Sequence, residues 1–332
     1  MPKIAPYFSK KLIVWYLQNK RDLPWRNTNN PYHIWLSEIM LQQTRVLQGL
    51  PYYLKFIEAY PKVENLANAP EDEVLKLWQG LGYYSRARNL HATAKMVANE
   101  MNGTFPNNYK DLLKLKGVGV YRVLSRFFGI STPINSTAGQ KEFKQLAQEL
   151  IDKEQPGTFN QAIMEFGARY CVPQSSDCEN CIFNDSCVAF QQKKVAQLPV
   201  KIKSKSVKQR FFNYLVILSE NERTVLQQRN GKGIWHKLYE FPLIETSKEI
   251  EVSELQELPQ FQDFSEKMNI RNISLYNQEA VVHKLSHQHL NTRFWIIETL
   301  DETESSVAIS EIESYAVPVL IANFVSEFFE NY

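Results

Sequence analysis

The stretch Cys171–Cys187 reads CVPQSSDCENCIFNDSC and holds every cysteine of the chain. The cysteine spacing is C-x6-C-x2-C-x5-C, and four thiolates this close together can ligate a [4Fe–4S] cluster. We therefore predict that cofactor, with Cys171, Cys178, Cys181 and Cys187 as its ligands. Two alternatives stay open. A four-thiolate zinc site usually pairs two short C-x2–4-C hairpins, where this chain has one, and disulfides need no such crowding.

The composition indicates a chain of two domains. It has 332 residues, of which 44% are hydrophobic, enough for two cores. The sequence has no run of 18 apolar residues, and its first residues, MPKIAPYFSKK, lack a signal-peptide pattern. Together with four clustered thiols, these features predict a soluble cytoplasmic protein that does not contact a membrane. We expect a monomer.

The net charge of +2 indicates little about partners, but the charges are unevenly distributed. Gln191–Arg210 carries seven basic residues and no acid, so it is a candidate for contacts with DNA phosphates. A solvated linker is the alternative. Glu245–Lys267 carries seven acids and two lysines, which disfavours a DNA-binding surface in that segment.

The pattern of apolar residues changes near the middle of the chain. Helical spacing recurs in Leu12–Gln18, His33–Leu47, Tyr52–Ala59, Glu71–Trp78, Ala87–Glu100 and Phe159–Tyr170. Segments rich in β-branched and aromatic residues follow at Phe211–Ser219, Thr224–Arg229, Glu279–Leu285 and Phe294–Leu300, before a final predicted helix at Tyr315–Asn331. We predict an all-α domain at 1–190, a basic linker at 191–210 and an α+β domain at 211–332.

Glu38 is the carboxylate best suited to chemistry. In a helix its neighbours would be Ile34, Trp35 and Leu41. An acid on an apolar stripe loses hydration, so its pKa should rise, and a carboxyl group that is neutral near pH 7 can donate a proton. The alternative is a surface glutamate at the edge of the stripe. Gln42–Thr44 follow on the same predicted helix and could read base edges or simply be solvated.

Two glycine-containing segments are candidates for DNA contacts. Leu115–Gly119 (LKGVG) follows a predicted short helix at Asn108–Leu115 and places Gly117 and Gly119 in a tight hairpin. Backbone N–H groups there can hold a phosphate oxygen; an ordinary helix–helix turn is the alternative. Leu81–Arg88 (LGYYSRAR) puts two tyrosines and two arginines after a glycine turn. A tyrosine could wedge into a base stack while an arginine pairs with phosphate, or both could be structural.

Taken together, these segments resemble the MutY family of adenine DNA glycosylases, within the helix-hairpin-helix glycosylase superfamily. The matching segments are Leu23–Arg26 (LPWR), Trp35–Thr44 (WLSEIMLQQT), Leu81–Leu90 (LGYYSRARNL), Leu115–Gly119 (LKGVG) and the four cysteines. The C-terminal region resembles that family's Nudix-like reader domain at Gly233–Pro242 (GIWHKLYEFP) and Leu285–His287 (LSH). The resemblance implies a multidomain fold: an all-α helix-hairpin-helix domain with an iron–sulfur loop, then an α+β Nudix-like domain.

The resemblance also implies a reaction, the hydrolytic removal of adenine mispaired with 8-oxoguanine or guanine in double-stranded DNA, after the adenine is rotated into a pocket. Glu38 matches the catalytic acid, and Tyr121 matches a tyrosine that supports the active site. The implied contacts with DNA or its bases are Arg26, Gln43, Thr44, Tyr83, Arg86, Gly117, Gly119, Ser286 and His287. The cluster is expected to shape a DNA-binding loop. Glu240–Glu257 lacks the glutamate-rich box of Nudix hydrolases, so nucleotide hydrolysis is not predicted.

One departure from the family pattern affects catalysis. The family has a Val-Asp-Gly-Asn-Val loop whose aspartate stabilises the oxocarbenium ion, yet no aspartate lies between Asp111 and Asp152. Either this segment is deleted and Val120–Gly129 is the helix after the loop, which we favour, or Val120–Phe128 is the second hairpin helix and Asn135 replaces the aspartate. Both interpretations predict severely weakened or absent excision.

A catalytically silent lesion-binding protein is the alternative function. A lyase is not expected, because 120–129 has no lysine.

Overall fold

The computed structural model describes residues 4–105, 118–202, 207–301 and 306–329. The chain divides into two compact units: Met1–Arg45 with Pro106–Ser204, called unit 1, and Val46–Phe105 with Lys205–Tyr332, called unit 2. The described α-helices are α1 (Ile4–Asn19), α2 (Pro31–Leu41), α3 (Val46–Ala59), α4 (Val63–Asn68), α5 (Glu71–Leu77), α6 (Ser85–Glu100), α7 (Val118–Phe128), α8 (Thr137–Leu150), α9 (Pro156–Arg169), α10 (Val188–Gln191), α11 (Val252–Glu257), α12 (Pro259–Ser265) and α13 (Val319–Phe329). The described strands are β1 (Lys208–Ser219), β2 (Arg223–Val225), β3 (Gln227–Gln228), β4 (Tyr239–Glu240), β5 (Leu243–Thr246), β6 (Ile270–Leu275), β7 (Val281–Lys284), β8 (Gln288–Thr299) and β9 (Ser306–Ala308).

Unit 1 is helical and is built around an aromatic core. Phe8 of α1 lies 4.7 Å from the ring of Phe127 and stacks on Phe183 at 5.0 Å, while Phe166 of α9 meets Phe183 edge-on at 5.5 Å. All four side chains are buried, and such aromatic pairs add to the stabilisation from burial. Because Phe183 belongs to the cysteine stretch, this core attaches that stretch to α1, α7 and α9.

Helix α7 ends at a glycine that its geometry requires. Gly129 has φ +70°, and the N–H of Ile130 donates to the carbonyl of Ser125 at 2.9 Å, which is the hydrogen bond of a Schellman turn. A Cβ on Gly129 would overlap the side chain of Val188 in α10. The glycine therefore allows α7 to stop and α10 to pack closely beside it.

The single predicted helix at His33–Leu47 is wrong. Helix α2 ends at Leu41, residues 42–45 form a turn, and α3 starts at Val46. The turn contains Gln43, which is exposed and has φ +58°, and the N–H of Thr44 donates to the carbonyl of Leu41 at 3.3 Å. Leu47, which completed the apolar stripe in the sequence, is 86% exposed. Gln43 and Thr44 thus lie in a loop and not on the helix of Glu38.

Unit 2 contains helices α3–α6 and a mixed sheet. The sheet order is β5-β1-β8-β6, with β7 also paired to β8. Strands β1 and β8 run parallel, from Lys208 opposite Gln288 to Ser219 opposite Thr299, whereas β5, β6 and β7 pair antiparallel to their neighbours. The predicted fold class, a helical N-terminal part followed by an α+β part, is confirmed. The domain boundaries at 190 and 210 stay predictions.

Helices cover both faces of the sheet, because neighbouring residues of a strand point to opposite sides. Phe294 of β8 stacks on Phe324 of α13 with ring centres 4.0 Å apart. Trp295, the next residue, packs in a buried cluster with Leu255 of α11 and Phe261 of α12. The strong burial along β1 and β8 follows from this double cover.

The basic segment 191–210 is only partly a linker. Strand β1 begins inside it at Lys208, and residues 203–206 lie outside the described residues. Arg210 was counted among the candidates for phosphate contacts, but its Nε and Nη2 donate to the carboxylate of Glu245 at 2.7 and 2.5 Å. This bidentate pair occupies the Arg210 guanidinium. Within the described residues, every helix is too short or too polar to span a lipid bilayer.

Candidate functional site

Glu38 lies in α2 at the edge of its apolar face and is half-buried. The helix starts where Asn30 caps it, and it turns Leu36 and Met40 into the interior. Desolvation raises the pKa of Glu38, as the sequence led us to expect. The carboxyl group therefore has the environment of a proton donor.

Gln161 of α9 is the hydrogen-bond partner of this carboxyl group. Its Nε2 donates to Oε1 of Glu38 at 2.8 Å, which lowers the pKa of Glu38 but does not offset the effect of burial. A neutral carboxylic acid can accept that bond at one oxygen and still donate its own proton from the other. The amide thus orients the carboxyl group of Glu38 without requiring it to be ionised.

Arg26 was expected to contact DNA, but its guanidinium is largely surrounded by protein. Nη2 donates to Oε2 of Glu165 at 2.9 Å, Nη1 donates to the carbonyl of Arg21 at 3.1 Å, and the side chain is 8% exposed. The guanidinium also lies 5.4 Å from the centre of the Tyr16 ring. Its Nε is buried and has no acceptor among the described residues. A contact between Arg26 and a base stays a prediction.

Glu165 is a fully buried carboxylate that two arginines hold. Arg21 donates to it from Nε at 2.7 Å and from Nη2 at 2.6 Å, and Arg26 adds the third charged contact. Burial by itself would raise the pKa of Glu165, but the hydrogen bonds and charges of Arg21 and Arg26 outweigh it and lower the pKa to about 2. Glu165 is therefore ionised at neutral pH.

The second predicted catalytic residue, Tyr121, is in the core of unit 1. Its ring stacks on Phe143 of α8 at 5.2 Å, and burial raises the pKa of its hydroxyl group. Gly119 is in the first turn of α7, whereas Gly117 and most of the predicted hairpin lie outside the described residues. A phosphate site at this hairpin stays a prediction.

Asn135, the possible substitute for the missing aspartate, is exposed and held by the backbone. Its Nδ2 donates to the carbonyl of Ile202 at 2.9 Å, and its Oδ1 accepts from the N–H of the same residue at 2.8 Å. Both the nitrogen and the oxygen of the Asn135 amide are thus hydrogen-bonded to the backbone of Ile202.

In unit 2, the turn before α6 presents Tyr83 to solvent. Tyr83 has φ +48° and is 49% exposed; a non-glycine residue in this region is strained. Gly82, with φ +74°, precedes it, and its carbonyl accepts from Nε1 of Trp78 at 2.9 Å. The hydroxyl group of Tyr83 shares a hydrogen bond of 2.7 Å with Oγ of Ser286. The structure thus brings together two predicted lesion contacts that are 203 residues apart.

Arg86 has a different environment from the one expected of a phosphate ligand. It is buried, and its Nη2 donates to the carbonyls of Leu81 and Gly82 at 3.2 Å each. Its guanidinium lies 5.6 Å from the centre of the Tyr83 ring, so it supports the Tyr83 turn from inside. His287 is exposed beside Ser286 in the turn between β7 and β8, where a ligand can reach both.

The four cysteines line one cavity of unit 1 and form no disulfide among the described residues. Burial raises the pKa of the Cys178 and Cys187 thiols and raises that of Cys181 to about 11. Across the described part of the chain, no three His, Cys, Asp or Glu side chains are arranged to hold one metal ion. Four soft donors around one enclosed space nevertheless fit an iron–sulfur group.

Two arginines of α7 hold the cysteine stretch in place. Arg122 donates to the carbonyls of Cys171 and Gly167 at 2.8 and 2.6 Å. Arg126 donates to the carbonyls of Val172 and Pro173, and its Nη1 lies 3.5 Å from the sulfur of Cys171. Sequence reasoning assigned no role to either arginine.

Sequence reasoning also missed Gln161 and Glu165. A signal was present, because Gln161, Glu165 and Arg169 recur every four residues and so share one side of α9. Their partners are far away in sequence, however, and no local pattern connects them to α2.

Comparison with known proteins identifies the family. Residues 36–153 match the HhH-GPD superfamily of base excision DNA repair proteins, and residues 213–327 match the NUDIX domain. The adenine DNA glycosylase of Buchnera aphidicola subsp. Baizongia pistaciae is 32% identical over 314 residues, covering 87% of this chain and 86% of the relative. The chain belongs to the adenine DNA glycosylase family. The human adenine DNA glycosylase is 38% identical over 222 residues, covering 58% of this chain and 41% of its own length.

A solved structure adds to the assignment. A thermostable thymine-DNA glycosylase matches with a TM-score of 0.50 and 28% identity, covering 57% of this chain and 98% of that structure. The predicted resemblance is thus confirmed, and the adenine DNA glycosylase family places the chain among the DNA-binding enzymes of base-excision repair that cleave base–sugar bonds.

The pKa of Glu38 predicts how stability depends on pH. The folded state holds the Glu38 proton above the ordinary pKa of 4.5, so the wild-type protein loses stability as pH rises from about 4.5 through the folded-state pKa. Glu38→Gln has no such loss. Its unfolding free energy relative to wild type should therefore increase by about 1.4 kcal/mol per pH unit across that window, as measured by urea denaturation.

The control for this measurement is Glu142→Gln, because Glu142 is exposed on α8 of the same unit. Its stability should follow the wild-type curve at each pH. A difference between Glu38→Gln and wild type that stays constant with pH would contradict the assignment of Glu38 as a desolvated acid.

Proposed function

We propose that this chain removes adenine paired with 8-oxoguanine in duplex DNA and that Glu38 is its proton donor. The observation that carries the proposal is the half-buried Glu38 carboxyl, whose pKa is raised and which Gln161 orients. Membership of the adenine DNA glycosylase family supports the choice of base, since the relatives carry that activity in their names. We also propose that the chain acts as a monomer.

The chemistry assigned to Glu38 is general acid catalysis. Its proton passes to a ring nitrogen of the extruded adenine, and the electrons of the base–sugar bond stay with the departing base. The sugar carbon becomes an oxocarbenium ion, and water adds to it after losing a proton to the Glu38 carboxylate. Bond cleavage and water addition leave Glu38 protonated again, so the cycle balances.

We propose that this cycle runs slowly because the chain has no aspartate to face the sugar cation. The segment between Asp111 and Asp152 contains none, and the amide of Asn135 is tied to Ile202, which disfavours Asn135 as a substitute. Losing one such electrostatic contribution lowers a rate by about 10²–10³.

Single-turnover excision on a duplex with one 8-oxoguanine:adenine pair tests this function. We expect slow adenine release by the wild-type chain, about 10²–10³ slower than by a family member with the loop aspartate. Glu38→Gln should show none, and Glu142→Gln should match wild type. Binding of the duplex without any release by the wild-type chain would favour the silent lesion-binding alternative. A wild-type rate equal to that of the intact relative would contradict the proposed defect.

We further propose that Cys171, Cys178, Cys181 and Cys187 hold a [4Fe–4S] cluster. Their common cavity, and the hydrogen bonds from Arg122 and Arg126 to the backbone beside Cys171, support it. When bound, the cluster would order the stretch 171–187 as part of the DNA-binding surface. Anaerobically purified protein should contain about four iron atoms per chain. One equivalent of zinc without iron would instead identify the four-thiolate zinc site.

Recognition of 8-oxoguanine is proposed to use Tyr83 and Ser286 of unit 2, with His287 as a further contact. The contacts predicted for Gln43 and Thr44 of unit 1 are separate proposals. The exposed ring of Tyr83 can stack on a base, and its hydrogen bond to Ser286 keeps the two groups together. An aromatic side chain stacked on a base contributes about 1–3 kcal/mol to binding. Tyr83→Ala should therefore weaken binding to an 8-oxoguanine duplex by about 5- to 150-fold, as measured by fluorescence anisotropy with a non-cleavable adenine analogue.

Two conservative variants separate the ring from the hydroxyl group. Tyr83→Phe and Ser286→Ala each remove the same hydrogen bond and should weaken binding by similar, smaller factors. Their double variant should bind about as well as either single variant, because the shared bond is lost only once. Additive losses, or equal affinity of Tyr83→Ala and wild type, would contradict the proposed contact pair.

A further inference from the structure

Glu165 is a buried charged group for which the proposed reaction has no direct use. Its side chain is 0% exposed and contacts Arg21 and Arg26, with Arg169 at 3.8 Å. Burying a carboxylate requires several kcal/mol of compensation, and replacement of such pairs by apolar residues is often tolerated in proteins. Stability alone therefore does not explain why Glu165 is buried with its arginine partners in unit 1.

The reason lies in its neighbours on α9. Gln161, one turn before Glu165, donates to Glu38, and Glu165 itself holds Arg26 at 2.9 Å. Arg26 lies close enough to Glu38 for its charge to lower the pKa of that carboxyl group. One side of α9 thus contacts both the proton donor and the cation that works against it.

A guanidinium without a partner anion would favour the ionised form of Glu38 and lower its pKa further. An opposite charge within a few ångströms lowers the pKa of a carboxyl group by about 1–3 units. The contact with Glu165 places a negative charge 2.9 Å from Nη2 of Arg26, and the same hydrogen bond restrains that end of the guanidinium.

We propose that Glu165 is a positioning residue for the proton donor, which neutralises and restrains Arg26 so that Glu38 keeps its proton. This inference rests on the role proposed for Glu38, and it assigns to α9 a second task beyond packing. Among the described residues, the charged and titratable groups around Glu38 and the Arg26–Glu165 pair include Tyr16 of α1, Arg21 and Arg169.

The test is the pKa of Glu38 itself, read in the full chain without DNA. The carboxyl carbons of glutamate are labelled with ¹³C, the signal of Glu38 is identified by its absence in Glu38→Gln, and its shift is followed with pH. In Glu165→Gln the Glu38 pKa should fall by about 1 unit or more. In Glu165→Asp, which keeps the charge, it should stay near the wild-type value, and Glu142→Gln should leave it unchanged.

A second background shows whether Glu165 acts through Arg26. Arg26→Gln alone should raise the pKa of Glu38, because the opposing cation is gone. Adding Glu165→Gln to Arg26→Gln should then change that pKa far less than Glu165→Gln does in wild type. If Glu165→Gln alone does not fold by circular dichroism, Arg26→Gln decides the question, because an unchanged Glu38 pKa in folded Arg26→Gln would show that Arg26 does not act on Glu38 and would overturn the inference.

Two further results would overturn the inference. One is an unchanged Glu38 pKa in folded Glu165→Gln, and the other is an equal effect of Glu165→Gln with and without Arg26. Neither depends on catalysis. A chain that fails to excise adenine but shows the expected titration would count against the proposed reaction alone, whereas the reverse pattern would count against the role of Glu165 alone.

Discussion

The ion pair between Glu165 and Arg26 is the interaction on which the chemistry proposed for unit 1 depends. It places a cation next to the Glu38 helix and supplies the anion that balances it. Because Glu165 has a pKa of about 2, this balance does not change over the pH range in which Glu38 can titrate. Two opposing effects act on Glu38: desolvation favours its protonated form and the charge of Arg26 favours its ionised form, and desolvation is the larger of the two.

The same unit holds the cysteine stretch by a different kind of contact. Arg122 and Arg126 bind backbone carbonyls around Cys171, and Phe183 anchors the middle of the stretch in the aromatic core. These contacts orient the thiols toward one cavity. The arginines of α7 thus support a loop, whereas Arg21 and Arg26 pair with the buried carboxylate of Glu165 in α9. In the sequence, both sets look alike as basic residues.

In unit 2 the feature most relevant to the proposed function is the strained backbone at the exposed side chain of Tyr83. Tyr83 adopts a positive φ, and the turn is held by Trp78 and Arg86, which bind the carbonyls before it. Stored strain of this kind persists only where surrounding contacts enforce it. The turn presents the Tyr83 ring to solvent, and the hydrogen bond to Ser286 holds its hydroxyl group.

The sequence by itself determined the helical and α+β parts, the grouping of the thiols and the raised pKa expected of Glu38, because these follow from local periodicity and spacing. It misjudged the helix at His33–Leu47, since the exposed Leu47 completed an apolar pattern that the turn at Gln43 interrupts. Only the tertiary structure decided that Arg26 and Arg86 turn inward and that Gln161, 123 residues away, meets Glu38. Such pairings depend on which helices pack together. A buried charge pairs with a group that is near it in space, and the periodicity of the sequence does not show which distant residues become neighbours.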